Sequence, residues 1–214
     1  GFDLSVRGRS TRFEGEVTVF YNHIKNYVFR NPLTEDEFHE REDEFNDRFN
    51  KDDSGGDADH DHGEFPFVEF VGRDSVLAGF EAHGDVKLTP QFTVEATFDM
   101  VRGKLSDTGD PLPRIPPARL TAGLTYQRNA LQAGGSMTVA ADQNRVLGEE
   151  TPTEGYTTGR LFASYAFNRA GLLNTITARV ENIGNTLYRS HLNYLKDVLP
   201  EAGRSFRLVY TASF

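Results

Sequence analysis

Apolar and polar side chains alternate along most of this chain, most clearly in its last ten residues, 205–214. One side of that segment is entirely apolar, and the other carries Ser, Arg and Thr with a single Val. The same period of two recurs at 92–100, 118–127 and 131–144. Because successive side chains of a β-strand point to opposite faces, the pattern predicts strands with one apolar and one polar face.

Nine strands are predicted in this way, and the class is therefore all-β. Their ranges are 2–8, 12–24, 67–88, 91–103, 117–128, 131–145, 158–168, 173–182 and 203–214. The connections alternate between short turns and long segments, the latter at about 25–66, 104–116, 146–157 and 183–202. Short turns at one end and long external loops at the other are typical of an antiparallel transmembrane β-barrel.

A soluble antiparallel sandwich or a lipocalin-like barrel also alternates apolar and polar residues. Its apolar face would form a packed core rich in Ile, Leu and Phe, whereas here that face carries many Ala, Gly and Tyr residues. Such residues are acceptable against lipid and at its interfaces. Single-chain bacterial barrels close with an even number of strands, so nine strands predict one part of a larger barrel.

Composition narrows the possible functions. The net charge is −9 with a pI near 5.2, and no segment clusters Lys and Arg, which argues against nucleic acid as a partner. Cysteine is absent, so any metal must be held by imidazole and carboxylate groups. No Ser/His/Asp arrangement or carboxylate pair indicates catalysis, and the chain is predicted not to be an enzyme.

One stretch, "DADHDHGE", combines carboxylates with imidazoles inside the long segment 31–66, which the strand order places among the external loops. Zinc suits this mixture of nitrogen and oxygen ligands, whereas the spacing fits a calcium EF-hand loop poorly. The predicted metal ligands are Asp57, Asp59, His60, Asp61, His62 and Glu64. The alternative is a solvated acidic loop without bound metal.

The first part of the same segment predicts a short helix. Thr34 and Glu37 have the spacing of a capping box, and Phe38, Phe45 and Phe49 fall on one helical stripe. The helix could fold over the barrel mouth as a lid, or its stripe could simply pack the loop against its neighbours.

His83 is a further predicted metal ligand, on the face that would line the barrel lumen. A hairpin around Thr89 and Pro90 would place Asp85 opposite Glu95, Glu81 opposite Asp99, and His83 opposite Thr97. Opposed carboxylates need a nearby cation, which could be a transiting metal ion or an arginine such as Arg179. The remaining histidines, His23, His39 and His191, are expected to be solvated.

Three stretches resemble the C-terminal barrel region of TonB-dependent outer-membrane receptors: "PLPRIPPARLTAGLTY", "VENIGNTLYRSHLNYLKD" and "EAGRSFRLVYTASF". The resemblance implies part of a 22-stranded barrel in the outer membrane of a Gram-negative cell, in contact with lipid and lipopolysaccharide and with the remaining barrel strands. It also implies uptake energised by TonB through an N-terminal plug domain. Residues 1–214 contain no such plug, so the chain is expected to be roughly the last two-fifths of a receptor.

The "DADHDHGE" stretch is similar to the His- and Asp-rich loop of zinc-uptake receptors, which implies zinc as the transported or loop-bound ion. An iron chelate or haem is the alternative cargo. A soluble β-rich binding module is the alternative of another class.

Overall fold

The computed structural model describes residues 1–49, 68–148 and 150–213. This part of the chain forms nine strands and one helix, which confirms the number of strands and the all-β class. The elements are β1 (Phe2–Arg9), β2 (Phe13–Pro32), α1 (Glu35–Phe49), β3 (Val68–Lys87), β4 (Phe92–Leu105), β5 (Arg119–Arg128), β6 (Leu131–Ala140), β7 (Tyr156–Arg169), β8 (Leu172–Glu181) and β9 (Ser205–Ser213).

The strands form a single antiparallel sheet in which each pairs with its neighbours in the sequence. Four tight hairpins lie at one end of the sheet, called here the hairpin end. Between β7 and β8, Ala170 and Gly171 both have positive φ, of 54° and 79°, as a two-residue turn of this hand requires. The long connections all leave the opposite end, called here the loop end, as the sequence predicts.

The two faces of the sheet differ sharply in chemistry. The apolar face is exposed even where its side chains are large: Phe206 and Leu208 are each 76% accessible. Its other members include Val17, Val19, Leu120, Ala122, Leu124, Met137, Val139 and Leu161. On the polar face, hydroxyl pairs such as Thr121 with Thr138, 3.0 Å apart, join neighbouring strands. An apolar surface of this extent indicates contact with a non-aqueous partner.

Strand β2 is longer than predicted. It was expected to end near residue 24 but continues to Pro32, because a β-bulge between Ile24 and Tyr27 lets pairing with β3 resume in a new register. Asn26 occupies the bulge with φ of 53°, and its backbone N–H donates to Asp74 Oδ1 at 2.9 Å. The outer halves of β2 and β3 therefore extend as an arm at the loop end.

Strand β6 is shorter than predicted, because it ends at Ala140 instead of continuing to residue 145. The polar residues beyond it belong to the β6–β7 connection. There Gln143 forms an isolated bridge with Thr153, and its side-chain Nε2 donates to the Ile115 carbonyl at 2.7 Å. Apolar and polar residues continue to alternate after Ala140, but the residues of this segment form hydrogen bonds with the connections and not with a strand.

The buried apolar cluster of the described residues lies at the loop end. Phe29 on the arm packs with Leu105, Leu112 and Ile115, and Leu147 from the β6–β7 connection packs against this cluster. Gly103 permits the close approach, since a Cβ there would stand 2.8 Å from Ile115 Cδ1 and 3.0 Å from Leu112 Cδ1. The connections therefore have a core of their own.

Helix α1 starts with the predicted capping box. The Thr34 backbone N–H donates to Glu37 Oε2 at 2.9 Å, and the Glu37 N–H donates to Thr34 Oγ1 at 3.3 Å. These hydrogen bonds from Thr34 hold the pKa of Glu37 below its usual value. Whether the helix acts as a lid stays a prediction. No helix in the described ranges has the length and apolar character needed to cross a membrane.

Ala122 and Thr121 are adjacent residues on opposite faces of β5, and they provide a test of which face meets lipid. In the complete receptor, Ala122→Arg is expected to cost about 2 to 4 kcal/mol, because arginine on a lipid-facing strand near the bilayer midplane carries this penalty. Thr121→Arg should be much milder. Heat-modifiable electrophoretic mobility of outer-membrane fractions measures assembly of both variants, and equal assembly would contradict the assignment of the faces.

Candidate functional site

The predicted zinc stretch falls outside the described residues. This applies to Asp57, Asp59, His60, Asp61, His62 and Glu64, whose role as metal ligands therefore stays a prediction. Within the described ranges no group of three or more His, Asp or Glu side chains is arranged to hold a metal ion.

His83 lies on the polar face of β3 in the predicted register. Asp85 pairs with Glu95, Glu81 with Asp99, and His83 with Thr97. Both imidazole nitrogens already have partners, Nδ1 at 3.1 Å from Thr97 Oγ1 and Nε2 at 3.0 Å from Asp85 Oδ2. A metal ion would have to displace at least one of these contacts, and metal binding by His83 stays a prediction.

An arginine does offset one of the opposed carboxylates, Asp99, but it is not Arg179. Arg119 Nε lies 3.2 Å from Asp99 Oδ1, because β5 pairs directly with β4 and places Arg119 opposite Asp99. Arg179 lies on β8, opposite Phe162 and Arg207, so the expectation that it serves this site is wrong. Arg7 makes a second ion pair on the same face, 2.6 Å from Glu16 Oε2.

A buried group of charged side chains lies where three long connections meet. We call it the charged junction, and its members are Arg114, Glu150, His191 and Lys196. Glu150 Oε1 is 3.3 Å from His191 Nε2, 3.5 Å from Arg114 Nε and 3.6 Å from Lys196 Nζ. The Arg114 backbone N–H also donates to this carboxylate at 3.2 Å. One carboxylate therefore serves groups from the β4–β5 and β8–β9 connections.

The expectation that His191 is solvated is wrong, since only 2% of the residue is accessible. Its Nδ1 lies 3.3 Å from Lys196 Nζ and 3.1 Å from Thr153 Oγ1. An ammonium group can only donate, so we assign Nδ1 as the acceptor and the ring hydrogen to Nε2, which lies 3.3 Å from Glu150 Oε1. No well-formed hydrogen bond completes that last contact. His191 is thus a buried link between Lys196 and Glu150.

Burial and charge act against each other at this junction. Burial raises the pKa of the Glu150 carboxyl, but His191, Lys196 and the Arg114 backbone N–H outweigh it, so the pKa lies below its usual value. Burial lowers the pKa of Lys196, and nearby Glu150 offsets this only in part. The ionised Glu150 carboxylate is therefore the shared counter-charge of Lys196 and Arg114.

The three stretches that carry the family resemblance converge at the charged junction. Arg114 Nη1, from the first stretch, donates to the carbonyls of His191 at 3.2 Å and Asn193 at 2.8 Å, both in the second. Asn193 Nδ2 then donates to Glu201 Oε1 in the third stretch at 3.0 Å. Glu150 lies outside all three stretches, and no local pattern marked it as a site residue.

A cavity of about 350 Å³ adjoins the charged junction. Its wall includes Arg114, Glu150 and Lys196 from the junction, together with Arg30 from the arm and Tyr194 from the β8–β9 connection. The Arg30 and Arg114 guanidinium carbons lie 5.6 and 4.4 Å from the centre of the Tyr194 ring, within cation–π range. Arg30 makes no ion pair with any described residue, so the wall offers a guanidinium to an anionic group.

Sequence comparison now defines the class of protein. The family described as "TonB dependent receptor-like, beta-barrel" matches residues 1–183, and the chain belongs to this family. Its nine strands are part of a barrel of the outer membrane, and the alternative of a soluble β-rich module is not supported. No curated protein sequence matches the chain.

Solved structures share the fold at low sequence identity. The copper transporter OprC matches 98% of this chain and 30% of its own length, with a TM-score of 0.74 and 20% identity. The ferric citrate transporter FecA, unliganded, matches 99% of the chain and 30% of its own length (TM-score 0.67, 15% identity). The FrpB iron transporter of Neisseria meningitidis, F3-3 variant, also matches 99% of the chain and 30% of its own length (TM-score 0.66, 15% identity). The chain thus spans about 30% of these structures and not the expected two-fifths.

Glu150→Gln is expected to destabilise the connections at neutral pH by about 3 kcal/mol, because it removes one partner of a buried ion pair. This value is the lower end of the usual range for such a loss, since Gln keeps an oxygen acceptor. Since folding lowers the pKa of Glu150, its stabilisation is present above the ordinary carboxyl value near 4.3 and is lost as pH falls through the folded value. The difference from wild type in thermal midpoint should therefore disappear in acid.

Glu154→Gln, which removes an exposed carboxylate of the same connection, is the control and should leave the thermal midpoint unchanged. A difference between Glu150→Gln and wild type that persists in acid would contradict the role of the charge.

Proposed function

We propose that the chain is the C-terminal barrel part of a receptor that takes up a metal ion or metal chelate across the outer membrane, with energy supplied through TonB. The observation that carries this proposal is the family match over residues 1–183. The exposed apolar face supports it, because lipid would cover that face. OprC is a copper transporter and FecA is a ferric citrate transporter, which supports metal cargo as a class.

Within this class we propose zinc as the cargo, captured first by the "DADHDHGE" stretch. Neutral imidazoles are good zinc ligands, and the adjacent carboxylates attract a divalent cation before any bond forms. A segment that becomes ordered on binding loses conformational entropy, so its affinity should be moderate, as suits a site that must release the ion.

Changing His60 and His62 together to Ala is expected to weaken zinc binding by the complete receptor and to slow uptake at limiting zinc. Barrel assembly should not change, since the stretch belongs to a connection. Isothermal titration with zinc and uptake of radioactive zinc measure the two effects. His39→Ala, in α1 of the same connection, is the matched control. Equal stoichiometry and affinity with and without the two histidines would rule out this stretch as the capture site.

An anionic chelate is the second candidate, favoured by the cavity at the charged junction. Its wall carries Arg30, Arg114 and Lys196 against Glu150 and Asp197, a surplus of one positive charge by this count. A bare cation would be repelled there, whereas the carboxylate or phenolate groups of an iron chelate would be attracted. Haem, which also carries carboxylates, fits the same reasoning.

Arg30→Met separates the two candidates. If the cavity receives an anionic chelate, the variant should raise the KM for ferric citrate uptake several-fold with little change in the maximal rate, because binding and not translocation is altered. Arg145→Met, an exposed arginine of the β6–β7 connection, is the control. Unchanged ferric citrate kinetics together with a zinc defect in the His60 and His62 variant would favour zinc.

A further inference from the structure

The β8–β9 connection is divided into a fixed base and a distal part. At the base, Asn182 Nδ2 donates to the carbonyls of Thr186 at 2.8 Å and Ala202 at 3.2 Å, and the Glu201 N–H donates to the Tyr188 carbonyl at 2.9 Å. These bonds close both ends of the connection on each other. Residues 189–200, called here the strap, lie beyond this closure.

The strap is attached to the other connections through polar contacts, which are those of the charged junction together with hydrogen bonds from Thr151 to Asp197 and between Thr153 and His191. Lys196 Nζ donates to the Thr151 carbonyl at 2.5 Å, and Arg114 Nη1 binds the strap carbonyls of His191 and Asn193. Several large apolar side chains of the strap are exposed, and the buried apolar cluster contains none of them. They are Leu192, Leu195, Val198 and Leu199.

The β4–β5 and β6–β7 connections are attached to each other by different means. Leu147 packs against the cluster that contains Leu112 and Ile115, and Gln143 Nε2 donates to the Ile115 carbonyl at 2.7 Å. These contacts do not involve Glu150 or Lys196. Arg114 and Glu150 also join these two connections, but the contacts of Leu147 and Gln143 are separate from that pair. The two connections therefore form a platform that retains contacts of its own when the charged junction is disrupted.

We propose that the strap is a lid over the cavity, hinged at its hydrogen-bonded base and latched to the platform by Glu150. Tyr194, Lys196 and Asp197 of the strap form one wall of the cavity, so release of the latch opens that wall. Glu150 is the latch because it is the buried carboxylate that faces Lys196 and Arg114 together. Without its charge the buried Lys196 and the half-buried Arg114 lose their shared counter-charge, a state that favours release of the strap into water.

Distances between spin labels in the complete receptor, purified in detergent, test this proposal. Residues 1–214 contain no cysteine, and any cysteine in the rest of the receptor is replaced by serine before labelling. Exposed positions are available at Thr108 and Asn144 on the platform and at Val198 on the strap. In wild type both the 144–198 and the 108–144 pair should give narrow distance distributions. In Glu150→Gln the 144–198 distribution should lose its narrow component, while the 108–144 distribution stays narrow.

Three further variants make the test specific to charge. Lys196→Met alone is the reference for Glu150→Gln combined with Lys196→Met, because Lys196→Met also removes the hydrogen bond to Thr151. Adding Glu150→Gln should broaden the 144–198 distribution less in the Lys196→Met background than in wild type. Glu154→Gln, which removes an exposed carboxylate of the same connection, should behave as wild type. Heat-modifiable mobility confirms that each barrel has assembled before distances are compared.

Three results would overturn the latch. They are a narrow 144–198 distribution in Glu150→Gln, equal broadening of the platform pair, or an equal effect of Glu150→Gln in the wild-type and Lys196→Met backgrounds. The measurement requires neither cargo nor TonB, so its outcome is independent of whether zinc or a chelate is transported.

Discussion

In a bilayer every backbone N–H and C=O must find its partner within the protein, and this sheet depends on that constraint. Each strand from β2 to β8 has a partner on both sides, whereas β1 and β9 each have one among the described residues. The outer edges of β1 and β9 must therefore be paired by further strands before the sheet can lie in lipid. Contact with lipid explains why apolar side chains cover one face without forming a core there.

The loop end follows different rules, because water is available outside the bilayer. A small apolar cluster around Leu105 and Leu112 joins the arm to two connections, and the charged junction joins the third. Burying Glu150 and Lys196 is unfavourable by itself, so the junction contributes specificity of position more than net stability. Such a junction fixes the position of the strap, and the loss of the Glu150 charge would be enough to weaken that attachment.

The two proposed cargo sites differ in the sign of their charge. The "DADHDHGE" stretch is acidic and would attract cations, whereas the cavity wall, with Arg30, Arg114 and Lys196 against Glu150 and Asp197, would attract anions. A single ligand could bind at both sites only if it were a metal ion held by an anionic chelator. The stretch would then recognise the metal ion, and the cavity would recognise the carboxylates of the chelator. A bare zinc ion would meet the first site and bypass the second.

Local pattern alone determined the number of strands, their faces, the register of β3 with β4 and the capping box of α1, because each depends on neighbours in sequence or on one short turn. It did not determine the ends of β2 and β6, which depend on a bulge and on contacts between connections. The resemblance of three stretches indicated the family. Only the tertiary structure revealed that Arg119 and not Arg179 offsets Asp99, since this depends on which strand lies next to β4. It also decided that His191 is buried beside Glu150 and Lys196. Glu150 and His191, which are 41 residues apart along the chain, meet only when two connections fold against each other. No periodic pattern in the sequence predicts such a contact.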